Sequence, residues 1–120
     1  MTVLDTSVLV EAVSVVPDSP VPVRMRRFIA GGERLGVPSL VFYEFLRGPR
    51  RPEEIAFQNA LFPLERALPY GAVEAKLSAD LYRRSGAPGA ANSIVQDAAL
   101  WTLNVRDFTD IPGLRLVAAN

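Results

Sequence analysis

The sequence predicts an α/β fold in three layers, in which a short-stranded, mostly parallel central sheet is flanked by helices. Four short apolar runs fit buried strands, at residues 2–4, 35–37, 98–103 and 114–117. Segments with helical spacing of apolar side chains separate these runs, and such alternation of strands and helices is typical of a parallel sheet. Because the chain has 120 residues and no linker, we expect one domain over residues 1–120 with its own hydrophobic core.

The helices are predicted from apolar spacing and from residues that start or stop a helix. Thr6 and Ser7 can each cap the first helix and Ser39 the third, because a short side-chain oxygen can accept an N–H of the first turn. Gly31-Gly32 ends the second helix and Gly48-Pro49 ends the third. The predicted helices cover residues 8–13, 21–30, 40–48, 52–62, 72–84 and 90–95.

The residue types that are missing exclude several classes of catalysis. The chain has no His and no Cys, which excludes zinc sites built from those ligands and nucleophilic catalysis by Ser-His-Asp or Cys-His. Any catalysis must therefore use carboxylates, with a cation that prefers oxygen ligands such as Mg²⁺ or Mn²⁺. We expect a cytoplasmic protein, because we find no apolar run of membrane-spanning length, no signal peptide and no possible disulfide.

Acidic and amide side chains follow three of the predicted strands. Asp5 follows the first strand, Asn104 and Asp107 follow the third, and Glu44 lies early in the buried helix after the second. Ligands of open α/β sheets bind at the carboxyl ends of the strands, so we expect these side chains to meet there. Crowded carboxylates repel one another, and such a cluster usually holds a cation. The sequence therefore predicts a site for Mg²⁺ or Mn²⁺ that could activate water for attack on a phosphate.

Two simpler interpretations stay open from the residues alone. Asp5 can be only the N-cap of the helix that follows it. Glu44 lies in a helix that is apolar nearly all round, and it can pair with Arg47 or Arg50 instead of a cation. The arginine clusters can be solvated helix faces, although a local basic patch is enough to bind nucleic acid in a chain with 13 basic and 13 acidic residues.

Three segments of the chain carry a family resemblance. They are VLDTSVLVEAV (3–13), VPSLVFYEFLRG (37–48) and LWTLNVRDFTDIPGLRL (100–116). Together they resemble the PIN domains, and within them the VapC toxins of bacterial toxin–antitoxin modules. The last segment is similar to the family's T-x-N-x-x-D-F signature followed by IPGL. The resemblance covers essentially the whole chain, and it implies a PIN fold and a metal-dependent ribonuclease that is inhibited by a cognate antitoxin and is usually dimeric.

By motif position, the resemblance implies a set of site residues. Asp5 and Glu44 match the first two family acids, and Asp107 lies in the region that supplies the last. We therefore predict that these three residues are catalytic and bind the Mg²⁺ or Mn²⁺. Further roles are predicted for residues beside the acids and at the RNA phosphates: Thr6, Ser7 and Asn104 as supporting residues, and Arg47 and Arg106 as phosphate contacts.

The chain departs from the family pattern at a third acid, which should lie just upstream of Ala90-Ala91. The residues there are GAPG, and about ten residues of the family pattern are missing between Gly89 and Ala90. Either this chain has lost the acid with them, or the acid lies in residues that the sequence lacks. Asp97 is the nearest remaining acid, but it is so close to Asn104 that we interpret it as a turn residue.

Two functions therefore compete, and they differ in whether the third carboxylate is present. The first is a metal-dependent endoribonuclease toxin, and the second is a PIN scaffold without the full acid set that binds a partner or RNA without cleaving it. A phosphoacceptor signalling domain ranks lower, because it needs a Lys near the acids and Lys76 lies in the middle of a helix. The helices around residues 43–45 and 55–62 have more apolar faces than one sheet can cover, so we expect a homodimer, and the resemblance adds a separate groove for an antitoxin helix.

Overall fold

The central sheet has four short strands, all of them parallel. The computed structural model describes residues 1–14, 18–81 and 88–118, and the strands in this part of the chain are β1 (Thr2–Leu4), β2 (Leu35–Gly36), β3 (Ala99–Trp101) and β4 (Arg115–Leu116). Their order in the sheet is β2-β1-β3-β4. Thr2 of β1 pairs with Leu35 on one side and with Ala99 on the other. The predicted parallel sheet is confirmed, although its last three strands are shorter than the sequence predicts.

Helices surround the sheet in the order that the sequence predicts. They are α1 (Thr6–Val13), α2 (Val21–Ala30), α3 (Ser39–Arg47), α4 (Pro52–Leu61), α5 (Ala72–Leu81) and α6 (Pro88–Val95). The predicted loop at 105–113 contains a 3-10 turn, Val105–Phe108. The predicted end of the fifth helix at residues 82–84 lies outside the described residues, as do residues 85–87 of the predicted break at 85–89. Pro88 and Gly89 belong to α6, so this part of the predicted break is wrong. None of the described helices has both the length and the apolar character needed to span a bilayer.

Each face of the sheet packs against a different set of helices. Leu4 and Trp101 belong to a core that contains side chains of α1, α2 and α3. Val3 and Leu100 precede them on the same strands, and they belong to a second core that includes Ala90 of α6. Successive side chains of a strand point to opposite faces, and a sheet with two apolar faces needs a layer on each side. The predicted three-layer arrangement is therefore confirmed.

The strand order creates a crevice at the centre of the sheet. In the sheet, β2 lies on one side of β1, and β3 and β4, which come later in the sequence, lie on the other side. The winding direction therefore changes between β1 and β3. In open α/β sheets, ligands bind outside the carboxyl ends of the strands at such a point. Asp5 and Thr102 directly follow β1 and β3, and they therefore lie where a ligand is expected.

Candidate active site

Asp5 lies at the N-cap position of α1 but does not cap the helix with its side chain. Its backbone is extended, with φ −80° and ψ 161°, and its carboxylate makes no cap hydrogen bond. Instead, Oδ2 accepts hydrogen bonds from the hydroxyl groups of Thr102 at 2.7 Å and Ser7 at 3.2 Å. The interpretation of Asp5 as only a helix cap is therefore wrong. Its buried carboxylate is oriented by two hydroxyl groups, one of which comes from the neighbouring strand segment.

Glu44 is held by a hydroxyl group in the same way. Its Oε1 accepts a hydrogen bond from Thr6 Oγ1 at 2.9 Å, and the side chain is half-buried. The guanidinium of Arg47 instead lies 5.4 Å from the ring centroid of Tyr43. Arg50 donates from Nε to the Phe45 carbonyl at 2.9 Å and lies over the Phe45 ring. The described ion pairs do not include Glu44, so the alternative in which Arg47 or Arg50 neutralises it is wrong.

Hydroxyl groups connect Asp5 to the segment after β3. Thr6 and Ser7 lie inside the first turn of α1, so their predicted role as caps is wrong, as is that of Ser39, which lies inside α3. The N–H of Leu103 donates to Ser7 Oγ at 3.1 Å, and the N–H of Asn104 donates to Thr102 Oγ1 at 3.0 Å. The network of Asp5 thus joins the start of α1 with the loop after β3, and the separate bond of Thr6 joins the start of α1 with Glu44 in the second half of α3.

Thr102 is the site residue that the sequence did not single out. Its hydroxyl donates to the carboxylate of Asp5 and accepts from the N–H of Asn104, and the side chain is buried. Two signals were available. Thr102 is the first residue of the T-x-N-x-x-D-F signature, and it is the first polar residue after the apolar run of β3, just as Asp5 is after β1.

The predicted residues after Thr102 are only partly brought to this network. Asn104 joins it through its backbone N–H, while Asp107 lies in the 3-10 turn, where its N–H donates to the Asn104 carbonyl at 3.0 Å. The side chains of Asn104, Arg106 and Asp107 are exposed. Among the described residues, no three acidic side chains lie close enough together to hold one metal ion. The structure therefore places the bonded groups of Asp5 and Glu44 on neighbouring residues, Ser7 and Thr6, without the carboxylate of Asp107.

Asp97 lies at the opposite end of the sheet from Asp5. It occupies a turn with φ 51°, a left-handed conformation that Asp tolerates, and it precedes β3. Arg115 contacts its carboxylate at 3.3 Å and its carbonyl at 2.6 Å. The interpretation of Asp97 as a turn residue is confirmed, and because β1 and β3 are parallel, Asp97 cannot supply the missing third acid beside Asp5.

The donor chemistry of Asp5 and Glu44 fits a hard divalent cation. Both offer carboxylate oxygens, and the chain has no His or Cys that would favour a softer metal. Both hydroxyl groups that contact the Asp5 carboxylate bind Oδ2, and within the described part of the chain no hydrogen bond reaches Oδ1. Mg²⁺ needs only one or two carboxylates when waters and a substrate phosphate complete its coordination. Asp5 and Glu44 are therefore chemically suited to such a cation.

The sequence matches the model of a known protein family. The model of the PIN domain matches residues 2–100, which include Asp5 and Glu44. The chain belongs to the PIN domain family. Members of this family are typically nucleases, which agrees with a pair of carboxylates at the carboxyl end of a parallel sheet. No curated protein matches the sequence at a significant level.

Two solved structures share the PIN fold of this chain. The first is the crystal structure of VapBC2 from Rickettsia felis bound to a DNA fragment from their promoter, with a TM-score of 0.69, 22% identity, and coverage of 97% of this chain and 96% of that chain. The second is the crystal structure of FitAcB from Neisseria gonorrhoeae, with a TM-score of 0.66, 16% identity, and coverage of 90% and 91%. At these identities the likeness establishes the fold.

The predicted loss of about ten family residues ahead of Ala90-Ala91 stays a prediction. Helix α6 includes both alanines, and residues 86 and 87 of the GAPG stretch lie outside the described part of the chain.

Proposed function

We propose that this PIN domain is an endoribonuclease that uses Mg²⁺ or Mn²⁺ and acts in the cytoplasm as the toxin of a toxin–antitoxin module. The supporting observation is the pair of carboxylates, Asp5 and Glu44, that hydroxyl groups orient at the winding change of the sheet. Family membership supports nuclease activity. The resemblance of three segments to VapC toxins and the fold likeness to VapBC2 support the toxin role.

In this mechanism the residues of the chain orient the groups that react. Asp5 and Glu44 would hold the cation, which when bound supplies an activated water and stabilises negative charge on the phosphate. The hydroxyl groups of Thr102 and Ser7 keep the Asp5 carboxylate in one orientation, and Thr6 does the same for Glu44. Hydrolysis adds a water oxygen to phosphorus and breaks one P–O bond of the RNA. No His is required, which agrees with a chain that has none.

The exposed turn after β3 supplies the remaining proposed contacts. Asp107 is the proposed further metal ligand and Asn104 its neighbour, and the turn is tied to the network only through backbone and hydroxyl groups of the described residues. Arg47 and Arg106 are the proposed contacts to RNA phosphates. Both side chains are exposed, and neither belongs to a described ion pair, so both can bind an external anion.

We also propose two protein partners, a cognate antitoxin and a second copy of the chain. The outer sides of α3 and α4 expose large apolar side chains, including Tyr43 at 58% and Phe57 at 50% of their surface. Exposed apolar side chains in such numbers are typical of an interface. Analytical ultracentrifugation tests the homodimer, and only monomer at micromolar concentration would contradict it.

A second candidate function is a PIN scaffold that binds RNA or a partner without cleaving. It is favoured by one observation, that no group of three acidic side chains within metal-binding distance occurs in the described residues. The residues GAPG also lack the acid that the family pattern has ahead of Ala90-Ala91.

The test of the proposed nuclease is cleavage of a mixed RNA pool by the purified protein. We expect cleavage with Mg²⁺ or Mn²⁺, none with EDTA, and a loss of at least about 10²-fold in Asp5→Asn, comparable to the loss of a strong electrostatic contact in an active site. Asp5→Asn should fold, because removing a charge from an acidic site relieves repulsion. Cleavage that persists in EDTA would exclude the metal mechanism, and RNA binding without any cleavage would favour the scaffold.

A further inference from the structure

A groove runs from the carboxyl end of β3 along α2. It consists of two adjoining cavities, of about 260 Å³ and about 680 Å³, and both are lined by Pro20 and Arg24. The first cavity includes Thr102 and Leu103, and the second continues to Arg27. We call this feature the α2 groove. Because Thr102 also donates to the carboxylate of Asp5, the α2 groove begins directly beside the candidate active site.

Arg24 lies where the two cavities meet, and aromatic rings hold its guanidinium. The guanidinium carbon is 5.7 Å from the ring centroid of Phe28 and 5.9 Å from that of Trp101. These two rings pack edge to face, with centroids 5.3 Å apart. Stacking on aromatic faces fixes the plane of a guanidinium without neutralising its charge. Arg24 is therefore a positive charge that the fold has oriented before any ligand binds.

No acid of the described residues forms an ion pair with Arg24. Glu33 lines a further cavity with Arg24, but its carboxylate is bound to the N-terminal ammonium at 3.0 Å. Within the α2 groove, the charged lining residues are Arg24, Arg27 and Asp18, so positive charge predominates. The chemistry of the α2 groove therefore favours an anionic ligand.

We propose that the α2 groove binds the RNA strand beside the phosphodiester that is cleaved, and that Arg24 binds a backbone phosphate of that strand. This inference rests on the proposed function. A guanidinium fork matches the geometry of a phosphate, and a basic groove with exposed apolar side chains is a typical surface for single-stranded nucleic acid. Leu103, whose side chain is 42% exposed, supplies such an apolar contact for a base next to Thr102.

The test is the affinity of Asp5→Asn protein, which does not consume the substrate, for a fluorescent single-stranded RNA decamer. Arg24→Met is added because its unbranched side chain can still pack on Phe28 and Trp101 after the charge is removed. We expect about tenfold weaker binding, as for the loss of one charge-assisted hydrogen bond. We also expect the slope of log K against log salt to fall in magnitude by about 0.7, as for one lost phosphate contact to a single strand.

Arg26→Met is the matched control, because Arg26 is exposed on the same helix and lines none of the described cavities of the α2 groove. It should change neither affinity nor slope. Arg24→Lys keeps the charge, and should therefore keep the slope of the unsubstituted Arg24 protein while losing part of the affinity. Thermal unfolding of each variant reports whether it is folded, and if Arg24→Met does not fold, the comparison of Arg24→Lys with Arg26→Met decides.

The proposal would be overturned if Arg24→Met and Arg26→Met had equal RNA affinity and an equal slope of log K against log salt. It would also be overturned if a poly-glutamate decamer bound as tightly as RNA and depended on Arg24 in the same way. If wild-type protein cleaves RNA and Arg24→Met binds normally, the α2 groove assignment fails and the nuclease stands. If RNA binds through Arg24 and wild type never cleaves, the nuclease fails and the α2 groove stands. If no RNA binds at all, both fail.

Discussion

The two ends of the sheet hold their acidic side chains with different partners. At the amino end, where the parallel strands begin, Glu33 binds the N-terminal ammonium of Met1 at 3.0 Å and the Thr2 hydroxyl at 3.2 Å. Asp97 binds the guanidinium of Arg115 at 3.3 Å. Both described ion pairs therefore lie at the amino end, and each joins residues at or just before the starts of different strands.

At the carboxyl end, the acids contact hydroxyl groups instead of cations. Asp5 accepts from Thr102 and Ser7, and Glu44 accepts from Thr6. A hydroxyl donor orients a carboxylate without cancelling its charge, whereas an ammonium or guanidinium does both. The negative charge at the amino end is thus balanced within the protein, and the negative charge at the carboxyl end remains available to an external cation. The partners of an acid, more than its burial, thus distinguish a structural position from a candidate site.

The largest expected difference between the two ends is in RNA cleavage. Glu44→Gln removes a ligand charge at the carboxyl end, and cleavage should fall at least about 10²-fold, because a group that stabilises charge in an active site has an effect of this size. Glu33→Gln makes the same chemical change at the amino end and should leave the rate unchanged. Initial rates on one RNA substrate with saturating Mg²⁺ measure both variants, and equal losses would contradict the difference between the two ends of the sheet.

The next effect is stabilisation by the cation, which is independent of activity. A cation that binds only the folded chain adds about 2.7 kcal/mol at a concentration of 100 Kd. Thermal unfolding should therefore show a higher Tm with Mg²⁺ for wild type and for Glu33→Gln, and no such rise for Asp5→Asn. An undiminished rise in Asp5→Asn would mean that the cation binds elsewhere.

The smallest effect concerns the pH dependence of stability at the amino end. Hydrogen bonds from the N-terminal ammonium and from the Thr2 hydroxyl lower the pKa of Glu33 below its usual 4.5. A pKa that is lower in the folded chain stabilises the fold above the unfolded pKa, and this contribution is lost as the pH falls through the folded value. Glu33→Gln should therefore lower the Tm slightly at neutral pH, and this difference should shrink as the pH falls below 4.5. A full difference that persists in acid, measured by thermal unfolding against wild type, would contradict the role of the ionised Glu33.

Local pattern was enough to predict much of the fold. The bounds of the helix at 21–30 and of the strand at 2–4 agree with the structure, because helical spacing, Gly31-Gly32 and a short apolar run act over a few neighbouring residues. The position of Asp5 between a strand and a helix was visible for the same reason, and it predicted which end of the sheet holds the candidate site.

Only the tertiary structure decided how the acids are held. Thr102 reaches Asp5 across 97 residues of sequence, and Thr6 reaches Glu44 across 38. These contacts exist because β1 and β3 are neighbours in register, with Leu4 opposite Trp101, and because α1 packs beside α3. In the same arrangement, Thr6 and Ser7 bind carboxylates and do not cap a helix as local rules predicted. A hydroxyl group can satisfy a nearby backbone N–H or a distant carboxylate, and which partner it takes is decided by the packing of strands and helices that no short stretch of sequence contains.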